Sequence, residues 1–224
     1  MPSQAPITEI QMPPAVGLTP VASDAELSLY LVSPHSQAST QLRAFIGERF
    51  ERAFAARPKI QAPQFLMLTG ANHALLAAVG VRSAQHQGLF LEQYLDKPIE
   101  RYCSPGTARR QLVELVHLAG ISPWIAHRFF PMVGQWLGAT GSEWVCFTAT
   151  RPVRMLFRQL GLSATNLGQA DPERLSDQQA DWGRYYHYRP EVLLAHVPTG
   201  LNQLRLPTSV DKKVRKGAQH VECA

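Results

Sequence analysis

Glu114 stands where a carboxylate costs free energy. It interrupts an apolar run, Gln111-Leu-Val-Glu-Leu-Val-His-Leu118, bounded by a basic loop and by Ala119-Gly120. The run reads as a buried strand. By the two-residue strand period, Glu114 shares a face with Leu112 and Val116, and His117 falls on the opposite face. A buried carboxylate must be paired, hydrogen-bonded or neutral through a raised pKa. Those conditions also make a general base. The alternative is a structural ion pair with Arg82, Arg109 or Arg110.

A second group of charges follows the preceding apolar run. Gly80-Val-Arg82 leads into Gly88-Leu-Phe-Leu-Glu92-Gln-Tyr94-Leu-Asp96-Lys-Pro-Ile-Glu100, where acids alternate with aromatic and aliphatic anchors. A short helix over 88–95 would put Leu89, Glu92 and Asp96 on one face. Such a segment packs its apolar side and aims acids into a cleft, or is an ordinary surface helix with solvated acids. Asp181-Trp-Gly-Arg-Tyr-Tyr-His-Tyr188 is dense in aromatics, as in a packing seam or the wall of an apolar pocket. Cys146 lies mid-strand between Val145 and Phe147 and reads as core. Cys103 lies near Arg101, Arg109 and Arg110, which would favour its thiolate, but no histidine is placed to serve it. The chain carries no CxxC, HExxH or GxxxxGK[ST], so no motif supports a metal or P-loop site.

The elements that must position these residues follow from periodicity. Glu26–Val32 alternates as a strand. Leu42, Phe45, Ile46, Phe50, Ala53 and Phe54 form one helical face over 36–56, ended by Pro58. Runs at 65–68 and 74–81 read as strand, turn, strand. Ser122-Pro123 is an N-cap followed by proline at the first helical position, opening a helix to about Leu137. A strand over 143–149, a helix over 151–160 with Gly161 behind it, and closing strands over 185–188 and 192–197 complete the order. A hairpin followed by strand–helix–strand–helix gives a mixed sheet covered by helices, the α/β class. The long irregular stretch between the 74–81 and 111–118 strands is of the kind that is usually functional.

Composition narrows the classes. The net charge is +5, and residues 201–224 hold five of the Lys and Arg residues against two acids. The basicity is therefore largely a property of the tail, and charge does not argue for nucleic-acid binding. No apolar run approaches the ~20 residues needed to span a bilayer. Residues 1–24 carry five prolines and no signal-peptide pattern. They are expected to form an extended arm, followed by one domain over 25–199 and a basic tail over 200–224. Three cysteines fit a reducing cytoplasm.

Ala78-Val-Gly-Val-Arg82, Leu89-Phe-Leu-Glu-Gln-Tyr-Leu-Asp-Lys-Pro-Ile-Glu100, Val113-Glu-Leu-Val-His-Leu-Ala119 and Trp182-Gly-Arg-Tyr-Tyr186 resemble the bacterial family named thermostable hemolysin, over about Arg43 to Val197. That family is similar to the GNAT-like acyltransferases, whose fold is shared with N-acyl-homoserine-lactone synthases. The resemblance implies a GNAT-like mixed, mostly antiparallel sheet flanked by helices. It implies an enzyme moving a fatty acyl group from an acyl thioester, on acyl carrier protein or CoA, to the amine of a small acceptor such as an amino acid.

Glu114 matches the central-strand position where autoinducer synthases place an important Glu. The roles that follow are Glu114 as base, with Glu92 and Glu100 assisting as orienting acids. The acceptor would meet Arg82, Phe90, Tyr94, Trp182, Tyr185 and Tyr186. The acyl donor would lie along Leu118, Ala119, Gly120, Ile121 and Ser122, with Arg154 and Phe157 on the late helix. Leu118-Ala-Gly-Ile-Ser-Pro-Trp124 departs from the glycine-rich pyrophosphate loop of acetyl-CoA enzymes. That departure points to a carrier-linked or longer acyl donor. Phe157 stands where many relatives use a tyrosine to protonate the leaving thiolate. An acidic carrier protein would dock on Arg101, Arg109, Arg110, Arg151, Arg154 or Arg158, and a homodimer is compatible with the resemblance. The competing expectation is a membrane-active cytolysin recruited through the basic tail.

Overall fold

The computed structural model describes residues 17–177 and 181–205. Eight strands form one sheet in the order β1-β2-β3-β4-β5-β6-β8-β7. They are β1 (Leu18–Ser23), β2 (Ser28–Val32), β3 (Gln64–Thr69), β4 (Leu75–Ser83), β5 (Leu112–Ala119), β6 (Trp144–Ala149), β7 (Thr165–Gln169) and β8 (Glu191–His196). Neighbours are antiparallel except β5 and β6, which run parallel. The helices are α1 (Gln37–Phe54), α2 (Pro123–Ala139), α3 (Arg151–Gln159) and α4 (Val197–Arg205). This is the mixed, mostly antiparallel α/β sheet expected.

α1 and α2 each begin at a serine whose side chain satisfies a free N–H group. Ser36 Oγ accepts from Ser39 N at the start of α1, and Ser122 Oγ accepts from Ile125 N at the start of α2. α1 lays Ala38, Leu42, Phe45, Ile46 and Phe50 on one face of the sheet, against Phe65, Met67 and Ala78. α2 covers the other face with Ile125, Phe129, Phe130, Val133 and Trp136 against Leu66, Leu68, Val79 and Phe147. The stretch between β4 and β5 forms a third cluster. Leu89, Leu91, Tyr94 and Ile99 pack there on Leu112, Cys146 and Leu194.

The short helix expected over 88–95 is present, as a tight 3-10 helix over Phe90–Tyr94. Three other expectations are corrected. Tyr185–Tyr188 is a 3-10 turn, not a strand. Gly183 (φ +46°) seats against the Ala55 carbonyl, where a Cβ would lie 2.2 Å away, and Arg184 N–H donates to Phe54 O at 2.7 Å. The chain is thereby pinned to the end of α1 and turned out of the sheet. The edge strand is instead β7, whose polar, exposed sequence carries no apolar alternation. Finally, the arm and the tail are partly built into the fold. Leu18–Ser23 pairs with β2. α4 places Leu201 over Gly134 and Gly138 of α2, close enough that a Cβ on either glycine would lie 3.3 and 3.2 Å from it. The basic residues from Asp211 onward lie outside the described residues. Among those described, no helix is long and apolar enough to cross a membrane.

Candidate active site

β5 and β6 pair from Leu112↔Trp144 to Leu115↔Phe147 and then part, although β5 runs on to Ala119 and β6 to Ala149. A cavity of about 310 Å³ occupies this parting. It reaches both layers of the protein. On the α2 side its walls are Leu115, Phe130, Phe147, Val153 and Phe157. On the α1 side they are aromatic, with Phe50, Phe54, Phe90, Trp182 and Tyr185. The polar groups Arg82, Glu114, His117, Lys59 and Gln61 join them.

Glu114 is 1% exposed. Its two oxygens accept from the backbone N–H groups of Phe90 (2.8 Å) and Leu91 (2.9 Å), at the start of the 3-10 helix. Arg82 is its cross-strand partner in register, and Arg82 Nε lies 3.9 Å from Glu114 Oε2. Burial pushes the carboxyl up to about 7, against the opposing pull of the two N–H groups and of Arg82. A carboxylate has about four acceptor positions, so the two backbone bonds leave capacity for a ligand. Arg82 donates from Nη2 to Gln61 O at 3.3 Å, while its Nε is buried without an acceptor.

His117 was expected on the far side of the strand. Its φ is +54°, and the ladder slips there, with Ala78 opposite Ala119 but Gly80 opposite Val116. The extra residue of this bulge turns His117 onto the Glu114 face, where it meets the Phe50 ring. Burial and the neighbouring Arg82 cation hold it down to about 4, and its ring bonds to the Gln61 backbone. It is a neutral imidazole in the ordinary pH range.

Of the residues named from sequence, Glu114, Arg82, Phe90, Tyr94, Trp182, Tyr185, Leu118 and Phe157 line this one cavity. Tyr186 stands behind it, its hydroxyl 2.7 Å from that of Tyr94. Glu92 and Glu100 do not line it. Both bind Arg109, at 2.9 and 2.6 Å. Arg154 is also engaged within the fold, with Glu191 at 3.0 Å and with the carbonyls of Ala149 and Arg189 at 2.9 Å. Ala119 is buried in the α1 layer, Ile121 packs on the α2 layer, and Ser122 caps α2. Gly120 (φ +80°) sits so close to β4 that a Cβ would lie 2.2 Å from Leu76 O.

Cys103 is pushed up to about 11 by burial, and Cys146 is fully buried with its thiol raised further, so neither is a ready nucleophile. Sequence reasoning missed His117, Lys59, Gln61, Phe50, Phe54, Phe130 and Phe147 as lining residues. The apolar faces of α1 and α2 were the signal for Phe50, Phe54 and Phe130, and the apolar run of β6 was the signal for Phe147. Nothing local marks Lys59 or Gln61. Among the described residues no three His, Cys, Asp or Glu side chains gather as metal ligands.

The profile of the family described as thermostable hemolysin matches residues 32–201. The chain belongs to this family. No curated protein matches the chain. Among solved structures its fold is similar to FeeM, an N-acyl amino acid synthase from uncultured soil microbes (TM-score 0.57, 15% identity, 87% of this chain and 99% of that one). It is also similar to the AHL synthase LasI (TM-score 0.56, 8% identity, 80% and 93%). A third likeness is to TofI in an apo form (TM-score 0.54, 14% identity, 80% and 97%). At these identities the likeness establishes that the chain shares their fold.

Proposed function

We propose that this protein is an acyltransferase that moves a fatty acyl group from an acyl thioester to the amine of a small acceptor carrying a carboxylate, such as an amino acid. The observation that carries the reading is the cavity in the β5–β6 parting. It joins an apolar branch under α2 to a buried carboxyl and guanidinium under α1. The acyl chain lies among Phe130, Phe147 and Phe157. The edge of β5 beyond Leu115 faces the parting without β6 as partner, so its backbone is available to an extended donor arm, as in strand addition. Arg82 Nε takes the acceptor carboxylate.

The reaction needs a neutral amine. Glu114, with a pKa near 7, accepts the amine proton as nitrogen attacks the thioester carbonyl. The N–C bond forms and the C–S bond breaks. Backbone N–H groups of β5 beyond Leu115, on the edge left without β6, steady the oxyanion. The proton on Glu114 returns to the departing thiolate, since Phe157 has none to give. Fatty acyl carrier protein or CoA supplies the thioester. With Arg109 and Arg154 engaged inside the fold, the exposed Arg101, Arg110, Arg151 and Arg158 remain for an acidic carrier.

The test is mass spectrometry of the purified protein incubated with acyl-CoA or acyl carrier protein and a panel of amines, with and without a carboxylate. An N-acyl product from carboxylate-bearing amines is expected. Lysis of erythrocytes in the absence of any acyl donor, with no N-acyl product from either donor, would favour the membrane-active reading instead. Lipid extracts from cells with and without the gene name the natural product.

A further inference from the structure

Glu92, Glu100 and Arg109 lie outside the cavity, yet they hold the backbone that holds Glu114. Arg109 grips Glu92 with both ends of its guanidinium, Nη1 to Oε1 and Nη2 to Oε2, each at 2.9 Å. Such fork-to-fork pairs are geometrically specific as well as strong. Arg109 Nη1 also donates to Glu100 Oε2 at 2.6 Å, and Nε donates to Ala84 O at 3.0 Å. Glu92 in turn accepts from Leu89 N at 2.8 Å and Ile99 N at 3.0 Å. Leu89 is the residue just before Phe90 and Leu91, whose N–H groups bind the two oxygens of Glu114. The connection from Arg109 to Glu114 is therefore unbroken hydrogen bonding and three residues of backbone.

A five-residue 3-10 helix has poor hydrogen-bond geometry and does not hold itself. Here its first turn is fixed from outside. The three clamp side chains are only 18–30% exposed, so water competes weakly for them. Ionisation keeps the clamp constant. Arg109 holds Glu92 down to about 2, and Glu92 holds the guanidinium above its ordinary range.

We propose that Arg109, Glu92 and Glu100 are positioning residues for Glu114, fixing the two backbone N–H groups that orient its carboxyl toward the cavity. The proposal rests on the acyltransferase reading for its catalytic meaning, though not for its geometry. It also explains the charge pattern of the 89–100 segment. Glu92 and Glu100 are turned away from the cleft onto Arg109, and what the segment presents to Glu114 is main chain.

The groups facing Glu114 are Arg82 from β4, Cys146 from β6, and Tyr94 and Glu92 from the connecting segment. Tyr94 and Cys146 are pushed up by burial and stay neutral, and Glu92 stays ionised. Glu114 is thus the group of this set that titrates near neutrality. Its two N–H bonds favour the carboxylate, so losing them raises its midpoint further.

The experiment follows the Glu114 carboxyl carbon by NMR of the full chain labelled with 13C-glutamate, assigning the signal by its loss in Glu114→Gln. It compares wild type with Glu92→Gln and Arg109→Lys, and with Asp96→Asn, which breaks an exposed ion pair with Arg174 in the same segment. The midpoint is expected to rise by about one pH unit in the first two variants and to stay in the third. In the same variants N-acyl product formation at pH 6 should fall about tenfold, with less than about threefold change at pH 9 and little change in acceptor KM. A midpoint unmoved in both clamp variants overturns the proposal, whatever happens to thermal stability. If those two do not fold, Glu100→Gln, which removes only the outer arm of the clamp, is read the same way. A shifted midpoint with no N-acyl product from wild type would retain the positioning claim and reject the acyltransferase reading.

Discussion

His117 and Glu114 stand on the same face of β5, although strand periodicity puts positions three apart on opposite faces. The left-handed residue of the bulge is His117 itself, so the imidazole turns toward the cavity that the carboxyl also lines. Arg82 lies near both and pushes each titration the same way, downward. Burial acts on the two in opposite senses, since it disfavours a carboxylate and an imidazolium alike.

The first prediction concerns stability against pH. Folding raises the Glu114 carboxyl from 4.5 to about 7. The native state therefore holds a proton that the unfolded chain has lost, and this contribution is full below about 4.5 and gone above about 7. Folding lowers His117 from 6.5 to about 4. Its contribution is full above about 6.5 and lost as pH falls to about 4. Each amounts to about 3 kcal/mol, with opposite sign over nearly the same window. Urea unfolding of wild type should show little net slope from this pair between pH 4.5 and 6.5. Glu114→Gln should gain stability as pH rises through that window, and His117→Gln should lose it. Parallel curves for all three proteins would reject the two assignments.

Glu114→Gln also tests catalysis. Glutamine cannot accept from both Phe90 N and Leu91 N, because its amide nitrogen would face one of the two donors. The unmatched donor costs about 1–3 kcal/mol, and acyl transfer should fall about 10²–10⁴-fold. Denaturation and turnover of one variant separate the effects. A protein with the expected stability loss and full activity would remove Glu114 as base.

Phe157 closes the apolar branch by packing edge-on against Phe130 and tilted on Phe147, with ring centroids 4.8 and 4.9 Å away. Phe157→Ala should open that branch. Preference should move toward longer acyl donors, at a stability loss of about 2–3 kcal/mol for a partly buried ring. Product profiles from a mixed-chain donor pool read this directly, and an unchanged profile would place the acyl chain elsewhere.

Gly120→Ala is expected to be far more damaging than its size suggests. The φ of +80° disfavours any L side chain, and the new Cβ would press on the Leu76 carbonyl. We expect a loss of more than about 2 kcal/mol, measured as a lower urea midpoint. A midpoint equal to wild type would show that β4 and the turn can separate freely.

The tail divides at α4. A chain ending at Gly200 lacks Leu201 and Leu204, which sit against Gly134, whereas a chain ending at Arg205 keeps them. Burial of a leucine side chain is worth roughly 1.5–3 kcal/mol. The shorter chain should therefore melt several degrees below the longer one, and equal thermal midpoints would show α4 to be dispensable.

Much of this protein is local and was legible in its residues. Alternation over 26–32, the apolar stripe of α1, the Ser122-Pro123 start of α2 and the charged residue inside an apolar strand each depend on neighbours a few positions apart. They gave the α/β class, the order of elements from β2 through α3, and Glu114 with Arg82 among its candidate partners. The tertiary structure decided the rest, because the interactions responsible join distant positions. The bulge at His117 answers to its pairing with β4, not to a glycine in the sequence. Tyr185–Tyr188 leaves the sheet because Gly183 and Arg184 bind the end of α1, more than a hundred residues earlier. Glu92 and Glu100 look like cavity acids by type, but Arg109 arrives from the start of β5 and takes both. The parting of β5 from β6, on which the cavity depends, belongs to neither strand alone. It is set by where their shared hydrogen bonding stops.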